Sequence, residues 1–577
     1  MGAISRFVIP VAGFLPFFSA VAETPAYLNS NNVDNALPAQ VMPEKEYSPA
    51  GAETSLPEQQ QSMQFPANTV IQLNNVLIEG GSVYPFNEVA SPFSELIGQQ
   101  VSLKQLIDIT NRITQRYKDD GYALSYAFIP AQNLSFGQVR IILVEGYVAD
   151  LDIRGDIGNA SERIRKFAEN IVNEKPLRQE TFDRYTALMA RIPGVKVKAS
   201  VPRPTTTDGA VTLITEATRK SMAVSSALEL NDGDDAKLLV SAEFNANTSA
   251  GEQVKVTTML PPGDDKERYA KVDYSQFVGD NGTRLVASAS AYRSEKEDKV
   301  RLGSVNTSNG PANVLSQEER SNDRISVGFS HPIKLSNTES LTATARVYGV
   351  DDERDYQVEQ PTALAGREAK ITNKVRALAL EGEWKQAKQD QLRIVSGGLY
   401  QGLDVFGAES SITTLGGNSV DYKETDFLRL RLAGVQSNIF ADRWHSILSG
   451  AAYWSADALP DSERATFGGR SFGRGYPSDQ AEGDKGWGLA YELGYRFYPE
   501  LSWMRLVKPY GAIDTARASY NNNGGPDTDL GSYAIGVQFS DQRHYNFSIE
   551  AAKPFGDSAV DSQDRDPRFR LNASYNL

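Results

Sequence analysis

The sequence predicts a mainly β protein in which two small α/β modules precede a sixteen-stranded antiparallel transmembrane β-barrel. Three observations carry this prediction. The first residues read as an export signal, and the region that follows repeats one order of strands and helices. From about residue 220 onward, apolar and polar residues alternate over segments long enough to cross a bilayer as tilted strands.

The first 22 residues have the pattern of a secretory signal peptide. A single Arg precedes an apolar run over residues 7–18, and Ala20-Val21-Ala22 offers a cleavage site after Ala22. Residues 23–67 are rich in Pro, Gln, Asn, Ser and Glu. We expect this segment to be a flexible extension or a plug segment of the pore.

Residues 68–147 and 148–218 each predict the order strand, helix, helix, strand, strand. The second helix of the first module is well specified, because Ser102 and Gln105 form a capping-box pattern at its start. Its apolar stripe consists of Leu106, Ile109, Ile113 and Tyr117. A tandem repeat of one supersecondary order is stronger support than either copy alone.

Residues 219–577 predict the barrel. In residues 427–435, for example, Leu428, Leu430 and Leu432 alternate with arginines, so one strand face is apolar and the other charged. The predicted strands are 220–229, 236–245, 251–260, 267–277, 283–293, 323–333, 338–349, 374–386, 390–401, 424–437, 442–454, 486–498, 504–519, 529–539, 544–553 and 567–577.

The connections between these strands alternate between short turns and long loops, which is typical of outer-membrane barrels. The long segments are residues 294–322, 350–373, 402–423 and 455–485. The modules enter the barrel from the short-turn side, so we expect them to lie in the periplasm of a Gram-negative bacterium, with the barrel in its outer membrane.

Composition and motifs exclude several function classes. The chain has 73 acidic and 59 basic residues, a net charge of −14, whereas a nucleic-acid-binding protein would carry a basic stripe. It has no cysteine, and it contains no HExxH, GxSxG or phosphate-loop motif. We therefore expect no enzyme activity, no metal, no cofactor and no nucleic-acid partner.

The first module resembles a POTRA domain of the ShlB/FhaC type, and the whole chain resembles the TpsB transporters of two-partner (type V) secretion. The resemblance to the POTRA pattern rests on matching residues between 121 and 148. These are Gly121, Tyr122, Pro130, Gln132, Leu134, Gly137, Val144, Glu145 and Gly146. Such transporters have a signal peptide, a plug segment, two POTRA domains and a sixteen-stranded barrel.

The resemblance also implies a role for residues 455–485, which lie between the eleventh and twelfth predicted strands and are the sixth connection on the long-loop side of the barrel. In the family this loop folds back into the lumen, with an Arg-Gly-aromatic motif at its tip that matches Arg474, Gly475 and Tyr476 here. The family pairs this Arg with an acidic residue on the inner wall of the thirteenth strand, where Asp514 is the matching position. We expect a bidentate Arg474–Asp514 contact to fix the loop.

The implied function is ATP-independent export of a large exoprotein, whose N-terminal secretion domain binds the POTRA domains in the periplasm. Outer-membrane lipid and, during biogenesis, the barrel assembly machinery are the other expected partners. Two alternatives remain open at this point. One is an assembly factor of the BamA type, which usually has five POTRA domains, and the other is a passive pore, although ordinary porins have none.

Overall fold

The computed structural model describes residues 37–38, 53–55, 69–231, 236–260, 267–296, 299–307, 310–470, 472–478, 480–521 and 525–577. The predicted signal peptide and most of the extension lie outside these ranges. In the part of the chain that is described, no helix is both long and apolar enough to cross a membrane.

The first module, residues 69–146, has a three-stranded sheet and a two-stranded ladder around two helices. Its elements, after a short strand β1 (Glu53–Ser55), are β2 (Val70–Gln72), β3 (Asn75–Gly80), α1 (Phe86–Ser94), β4 (Gln100–Ser102), α2 (Leu103–Asp119), β5 (Tyr126–Phe128) and β6 (Gln138–Val144). The sheet has the order β3-β6-β5, and β2 pairs with β4. The predicted capping box is confirmed: the Ser102 side chain accepts from the Gln105 N–H, and the Gln105 side chain accepts from the Ser102 N–H.

The second module, residues 147–219, has the order strand, helix, helix, strand, strand, without counterparts of β2 and β4. It consists of β7 (Tyr147–Arg154), α3 (Ala160–Val172), α4 (Gln179–Ala190), β8 (Val195–Ser200) and β9 (Ala210–Arg219). Its sheet has the order β1-β8-β9-β7, so the short strand β1 of the extension adds in parallel to the outer edge of β8.

The second module packs directly on the short-turn rim of the barrel. Its buried cluster, which includes Phe167 and Leu188, continues into Ala246, Phe277 and Leu335 of the barrel. The buried Arg163 on α3 donates from Nε to the Ser249 carbonyl (3.0 Å) and from Nη1 to the Gly279 carbonyl (2.7 Å). These contacts fix the module against two turns of the barrel.

The barrel closes through antiparallel pairing of its first and last strands, β10 and β30. Its strands, with three accessory strands and one hairpin in the long loops, are β10 (Met222–Asn231), β11 (Lys237–Asn245), β12 (Gln253–Leu260), β13 (Arg268–Phe277), β14 (Arg284–Glu295), β15 (Val300–Thr307), β16 (Gly310–Leu335), β17 (Glu339–Gln360), β18 (Glu368–Lys388), β19 (Gln391–Gly402), β20 (Glu409–Thr413), β21 (Ser419–Asp421), β22 (Leu428–Phe440), β23 (Trp444–Ser455), β24 (Ala465–Phe467), β25 (Ala481–Gly483), β26 (Lys485–Tyr495), β27 (Leu506–Ser519), β28 (Thr528–Ser540), β29 (Tyr545–Pro554) and β30 (Arg568–Asn576). Without β15, β20, β21, β24 and β25, sixteen strands form the wall, and the predicted fold class is confirmed.

The alternation of apolar and polar residues separates the lipid face from the lumen face of this wall. Ile535 is 70% exposed and Leu380 61% exposed on the outer face. Exposed tryptophans stand near both ends of the strands, where they form the aromatic belts typical of outer-membrane barrels. These residues are Trp444, Trp454, Trp487 and Trp503.

Three strands are much longer than the sequence predicts. β16, β17 and β18 have 26, 22 and 21 residues, about twice what a bilayer requires. Their pairing continues through residues predicted as long loops, because ladder hydrogen bonds form equally well outside the membrane. The apolar alternation stops there, since no lipid face is needed, and the strand signal in the sequence weakens with it.

Candidate functional site

Loop six, residues 456–484 between β23 and β26, folds back into the barrel lumen. The two-stranded ladder β24–β25 forms its stem, and Phe472 and Tyr476 near its tip are buried. Phe472 packs on Gly488 of β26, where an added Cβ would lie 2.5 Å from the ring. A glycine in the wall thus makes room for an aromatic residue of the loop.

The Arg474 guanidinium at the tip bridges two glutamates of the lumen wall. Nη1 donates to Glu550 on β29 at 2.7 Å, and Nη2 donates to Glu492 on β26 at 3.0 Å. All three side chains are largely buried. A buried cation that is shared between two carboxylates is held in both direction and position.

The predicted bidentate contact between the Arg474 guanidinium and the Asp514 carboxylate is wrong, because the guanidinium bonds the two glutamates instead. Asp514 lies on the lumen face of β27 and contacts the loop, but it accepts from the backbone N–H groups of Gly473 (2.6 Å) and Arg474 (3.4 Å). The Ser532 hydroxyl donates to the same carboxylate at 2.7 Å. Because the loop backbone turns towards β27 here, its N–H groups donate to the Asp514 carboxylate. The Arg474 side chain extends instead to β26 and β29.

The other two motif residues fix the backbone of the tip. At Gly475 an added Cβ would lie 2.7 Å from the backbone nitrogen of Pro554, so only glycine fits against β29. Tyr476 is fully buried, and its hydroxyl lies 3.3 Å from the Gly531 carbonyl, to which it donates. The motif is therefore a close-packed contact with strands near the barrel seam.

The tip contact continues as a network of charges across the seam. Tyr510 donates to Glu550 at 3.0 Å, and Arg570 on the last strand lies 3.7 Å from the other oxygen of Glu550. Arg570 also reaches Glu229 on the first strand at 3.8 Å, and Arg470 of loop six lies 3.4 Å from the same glutamate. Loop six is thereby tied to both strands that close the barrel.

A second attachment holds the base of loop six, in the short 3₁₀ turn Asp461–Glu463. Glu463 is 0% exposed and Arg429 on β22 is 1% exposed, and their charged atoms are 3.1 Å apart. Arg429 also donates to the Glu463 carbonyl at 2.9 Å, and Tyr348 donates to the Glu463 carboxylate at 3.0 Å. The Arg429 guanidinium stacks 4.2 Å above the ring of Tyr400. We call this group the shoulder contact.

Sequence reasoning missed the glutamates that hold loop six. Strand alternation does place Glu492 and Glu550 on the lumen face, because Leu489 and Ile549 on the same strands are exposed to lipid. However, alternation marks every lumen acid equally, and it does not show which of them meets the arginine. Glu463 lies in the loop itself, where no periodicity signals its burial.

In the first module, Glu145 of the predicted motif connects three segments. Its carboxylate accepts from the Ser82 N–H (2.7 Å), the Val83 N–H (2.9 Å) and the Tyr117 hydroxyl (2.9 Å). Burial opposes ionisation of this carboxyl, but these hydrogen bonds outweigh it and hold the pKa of Glu145 below its ordinary value. Burial, together with the hydrogen bond to the same carboxylate, raises the pKa of Tyr117.

Two motif glycines join the modules. The carbonyl of Gly121 accepts from the Gln179 N–H at 2.7 Å, and the carbonyl of Gly146 accepts from the Leu177 N–H at 2.9 Å. The Arg178 guanidinium lies over the ring of Tyr122, 5.3 Å from the ring centre. The motif therefore positions the first module on the start of α4 in the second.

Pro130 and Gln132 finish the edge of the sheet in the first module. Pro130 follows β5 and has no N–H to continue the ladder. The Gln132 side chain takes the place of the next strand residue: it donates to the Arg140 carbonyl at 2.9 Å and accepts from the Arg140 N–H at 2.7 Å.

Two family models match the chain. The model of the POTRA domain, ShlB-type, matches residues 71–146. The model of the haemolysin secretion/activation protein ShlB/FhaC/HecB matches residues 372–539, which include loop six and Asp514. The heme/hemopexin transporter protein HuxB of Haemophilus influenzae (strain 86-028NP) is 21% identical over 521 residues, 88% of this chain and 86% of HuxB.

The chain is a TpsB-family transporter. It is a translocator of two-partner secretion, its partner is a secreted exoprotein, and its barrel belongs to the outer membrane. Two solved structures share the fold. CdiB from Escherichia coli has a TM-score of 0.66 at 17% identity, over 91% of this chain and 94% of CdiB. CdiB from Acinetobacter baumannii has a TM-score of 0.59 at 13% identity, over 93% and 95%.

In this TpsB transporter, one point of the N-terminal extension lies inside the lumen. Leu37 is 6% exposed and packs among Leu239, Met259 and Tyr269 on the lumen faces of β11, β12 and β13. Arg470 of loop six donates to the Leu37 carbonyl. The extension, loop six and the first barrel strand therefore meet at Arg470, which also pairs with Glu229.

Proposed function

We propose that this transporter receives an unfolded exoprotein in the periplasm through its two α/β modules and passes it through the barrel to the cell surface. The attachment of loop six inside a closed barrel is the observation that supports this best, because Arg474 and the shoulder contact hold a loop, rather than a strand of the wall, in the path of the pore. The second module packs on the barrel rim at the periplasmic end of that path.

The process uses no nucleotide and no enzyme chemistry of this chain. Folding of the exoprotein outside the cell provides its direction. The second α/β module acts as a second POTRA domain, and the exoprotein adds as a strand to the outer edge of β3, which pairs with no strand in the described part of the chain. In the second module the strand that corresponds to β3 is β7, and the opposite edge of that sheet, on β8, is covered by β1.

The extension acts as the plug of the resting pore, with Leu37 as an internal anchor. Leu37→Asp places a carboxylate in the apolar group formed by Leu239, Met259 and Tyr269, which is costly without a partner. We expect a larger ion conductance in planar bilayers for this variant than for the parent, and no change for Leu577→Asp at the exposed chain end. Equal conductance of all three proteins would refute the anchor.

The experiment that tests the export function compares secreted proteins by mass spectrometry. The native host carries the parent chain, a deletion, or Arg474→Ala at matched barrel levels. We expect one large exoprotein to disappear from the medium and surface in the deletion, while other outer-membrane proteins keep their levels. A joint fall of many outer-membrane proteins would contradict export and favour an assembly factor, and no change in any protein would favour a passive pore.

The lipid face and the biogenesis of the barrel complete the proposal. The exposed apolar residues and the tryptophan belts fit an outer-membrane bilayer, and the terminal strand β30 with Phe569 and Tyr575 on its outer face fits recognition by the barrel assembly machinery. Depletion of that machinery should reduce the heat-modifiable, folded form of the protein in membranes.

A further inference from the structure

Three cations gather where the second module meets the barrel lumen. They are Arg191 at the end of α4, Arg284 on β14 and Lys385 on β18, and we call them the mouth cluster. Arg191 interacts electrostatically with both of the other two. All three side chains are half-buried, so none of them projects freely into solvent.

The face of α4 that carries Arg191 is the face that contacts the barrel. Arg184, Leu188 and Arg191 are spaced four and three residues apart, which places them on one side of a helix. Arg184 donates to the carbonyl of Asn281 (3.1 Å), in the turn between β13 and β14, and to the carbonyl of Pro332 (3.2 Å), near the end of β16. Leu188 packs on Gly282, where an added Cβ would lie 2.5 Å from it.

Arg284 and Lys385 belong to the lumen faces of their strands. Arg284 follows that rim turn directly and shares its face with Ser288, which hydrogen-bonds to Ser326 across the lumen side of the wall. Lys385 shares its face with Glu383, whereas Leu380 on the opposite face is exposed to lipid. The cluster therefore lies between the second module and the pore entrance.

The positive charge of this cluster is not balanced by ion pairs. In the described ranges, none of the three cations has a carboxylate oxygen within 4 Å, and Glu383 is the acid that interacts with Arg191 and Lys385 from a greater distance. Arg284 donates to the Ser275 hydroxyl and stacks on Phe277, but its Nε is buried without a partner. Burial lowers the pKa of Arg191. Concentrating like charges away from water is costly unless an anion compensates them.

We propose that the mouth cluster is a binding site for carboxylate-rich stretches of the exported polypeptide, at the point where the chain passes from the second module into the barrel. This inference rests on the proposed export function, because only export brings an extended polypeptide to this position. The ligand chemistry follows from the three donors: extended acidic side chains can reach a half-buried ammonium and two guanidinium groups from the lumen.

The test measures peptide binding to the purified full chain in detergent, without any exoprotein. A fluorescent peptide of alternating Glu and Gly is compared with a peptide of alternating Gln and Gly by anisotropy. The variants are Arg191→Gln and the double variant Arg284→Gln/Lys385→Gln. Lys255→Gln is the matched control, since Lys255 is a lumen cation that already pairs with Glu243 at 3.3 Å. Heat-modifiable migration verifies that each barrel is folded.

We expect the Glu peptide to bind and the Gln peptide to bind at least about tenfold more weakly, with a similar loss for the double variant and a smaller one for Arg191→Gln. Added salt should weaken binding of the Glu peptide, and the Lys255→Gln protein should bind this peptide with the affinity of the parent. Equal affinity for both peptides, or an unchanged affinity in the double variant, would overturn the site. If the peptide results support the site but the deletion strain secretes the exoprotein normally, the export function is refuted and the binding site is not.

Discussion

The shoulder contact makes a quantitative prediction about how loop six is held. Glu463→Gln removes one charge from a pair in which Glu463 is 0% and Arg429 1% exposed, and it leaves the guanidinium buried without its carboxylate. Breaking such a buried pair costs about 3–5 kcal/mol. The stacking on Tyr400 and the Glu463 carbonyl remain, so we expect a value near the lower end of that range.

Hydrogen exchange followed by mass spectrometry reports this cost locally. A loss of about 3 kcal/mol in the free energy of local opening corresponds to a rise of at least about a hundredfold in exchange rate. We expect this rise in peptides that cover residues 456–470 of the Glu463→Gln protein. The double variant Arg429→Met/Glu463→Gln removes both charges and should return to within roughly tenfold of the parent.

A surface pair provides the control. Asp527→Asn breaks the pair of Arg517 and Asp527, which are about half exposed, and it should leave exchange in loop six unchanged because exposed pairs contribute about 0–1 kcal/mol. The reasoning is refuted if exchange over residues 456–470 in Glu463→Gln stays within about threefold of the parent. It is also refuted if the double variant opens as readily as the single one.

Three further predictions concern the tip, the first module and the barrel rim. Gly475→Ala should abolish export at matched barrel levels, because its Cβ would meet the backbone of β29 at 2.7 Å, whereas Gly416→Ala, with its nearest neighbour at 3.8 Å, should export normally. Glu145→Gln should lower the urea midpoint of the helical circular-dichroism signal at pH 7. Since the pKa of Glu145 is depressed in the folded protein, its contribution to the free energy of unfolding is fully present above the unfolded pKa of about 4.3 and is lost as pH falls through the folded pKa. The urea midpoints of parent and variant should therefore converge in acid. Arg163→Met should broaden the spin-label distance distribution between the second module and the barrel, and an unchanged distribution would contradict the role of its two carbonyl contacts.

The larger features of this protein could be predicted from its sequence because each is a local pattern. The Ser102–Gln105 capping box involves residues three positions apart, and the Leu428–Leu432 alternation follows from the two-residue period of a strand. Loop six was found in the same way, from its place in the order of short and long connections. The resemblance to the TpsB family then indicated which residues stand at its tip.

The partners of the Arg474 side chain could not be predicted, because they are brought together by closure of the barrel. Glu492 and Glu550 lie 18 and 76 residues from Arg474, on strands whose relative heights depend on tilt and register around the whole wall. A shift of a few residues in that register would bring a different acid to the arginine. The choice between Asp514 and the two glutamates also depends on the direction in which the loop backbone turns.

The sequence by itself determined the order of elements and the lipid and lumen faces of the strands, and, with the family resemblance, it indicated an Arg-Gly-Tyr tip in the sixth connection on the long-loop side. Only the tertiary structure decided that Arg429 lies under Glu463, that Leu37 occupies the lumen, and that three cations meet at the pore entrance. The physical reason is the range of the interactions. Periodicity, capping and turn formation act between neighbours in the chain, whereas burial and charge pairing act between neighbours in space, and only the closed barrel makes these residues neighbours.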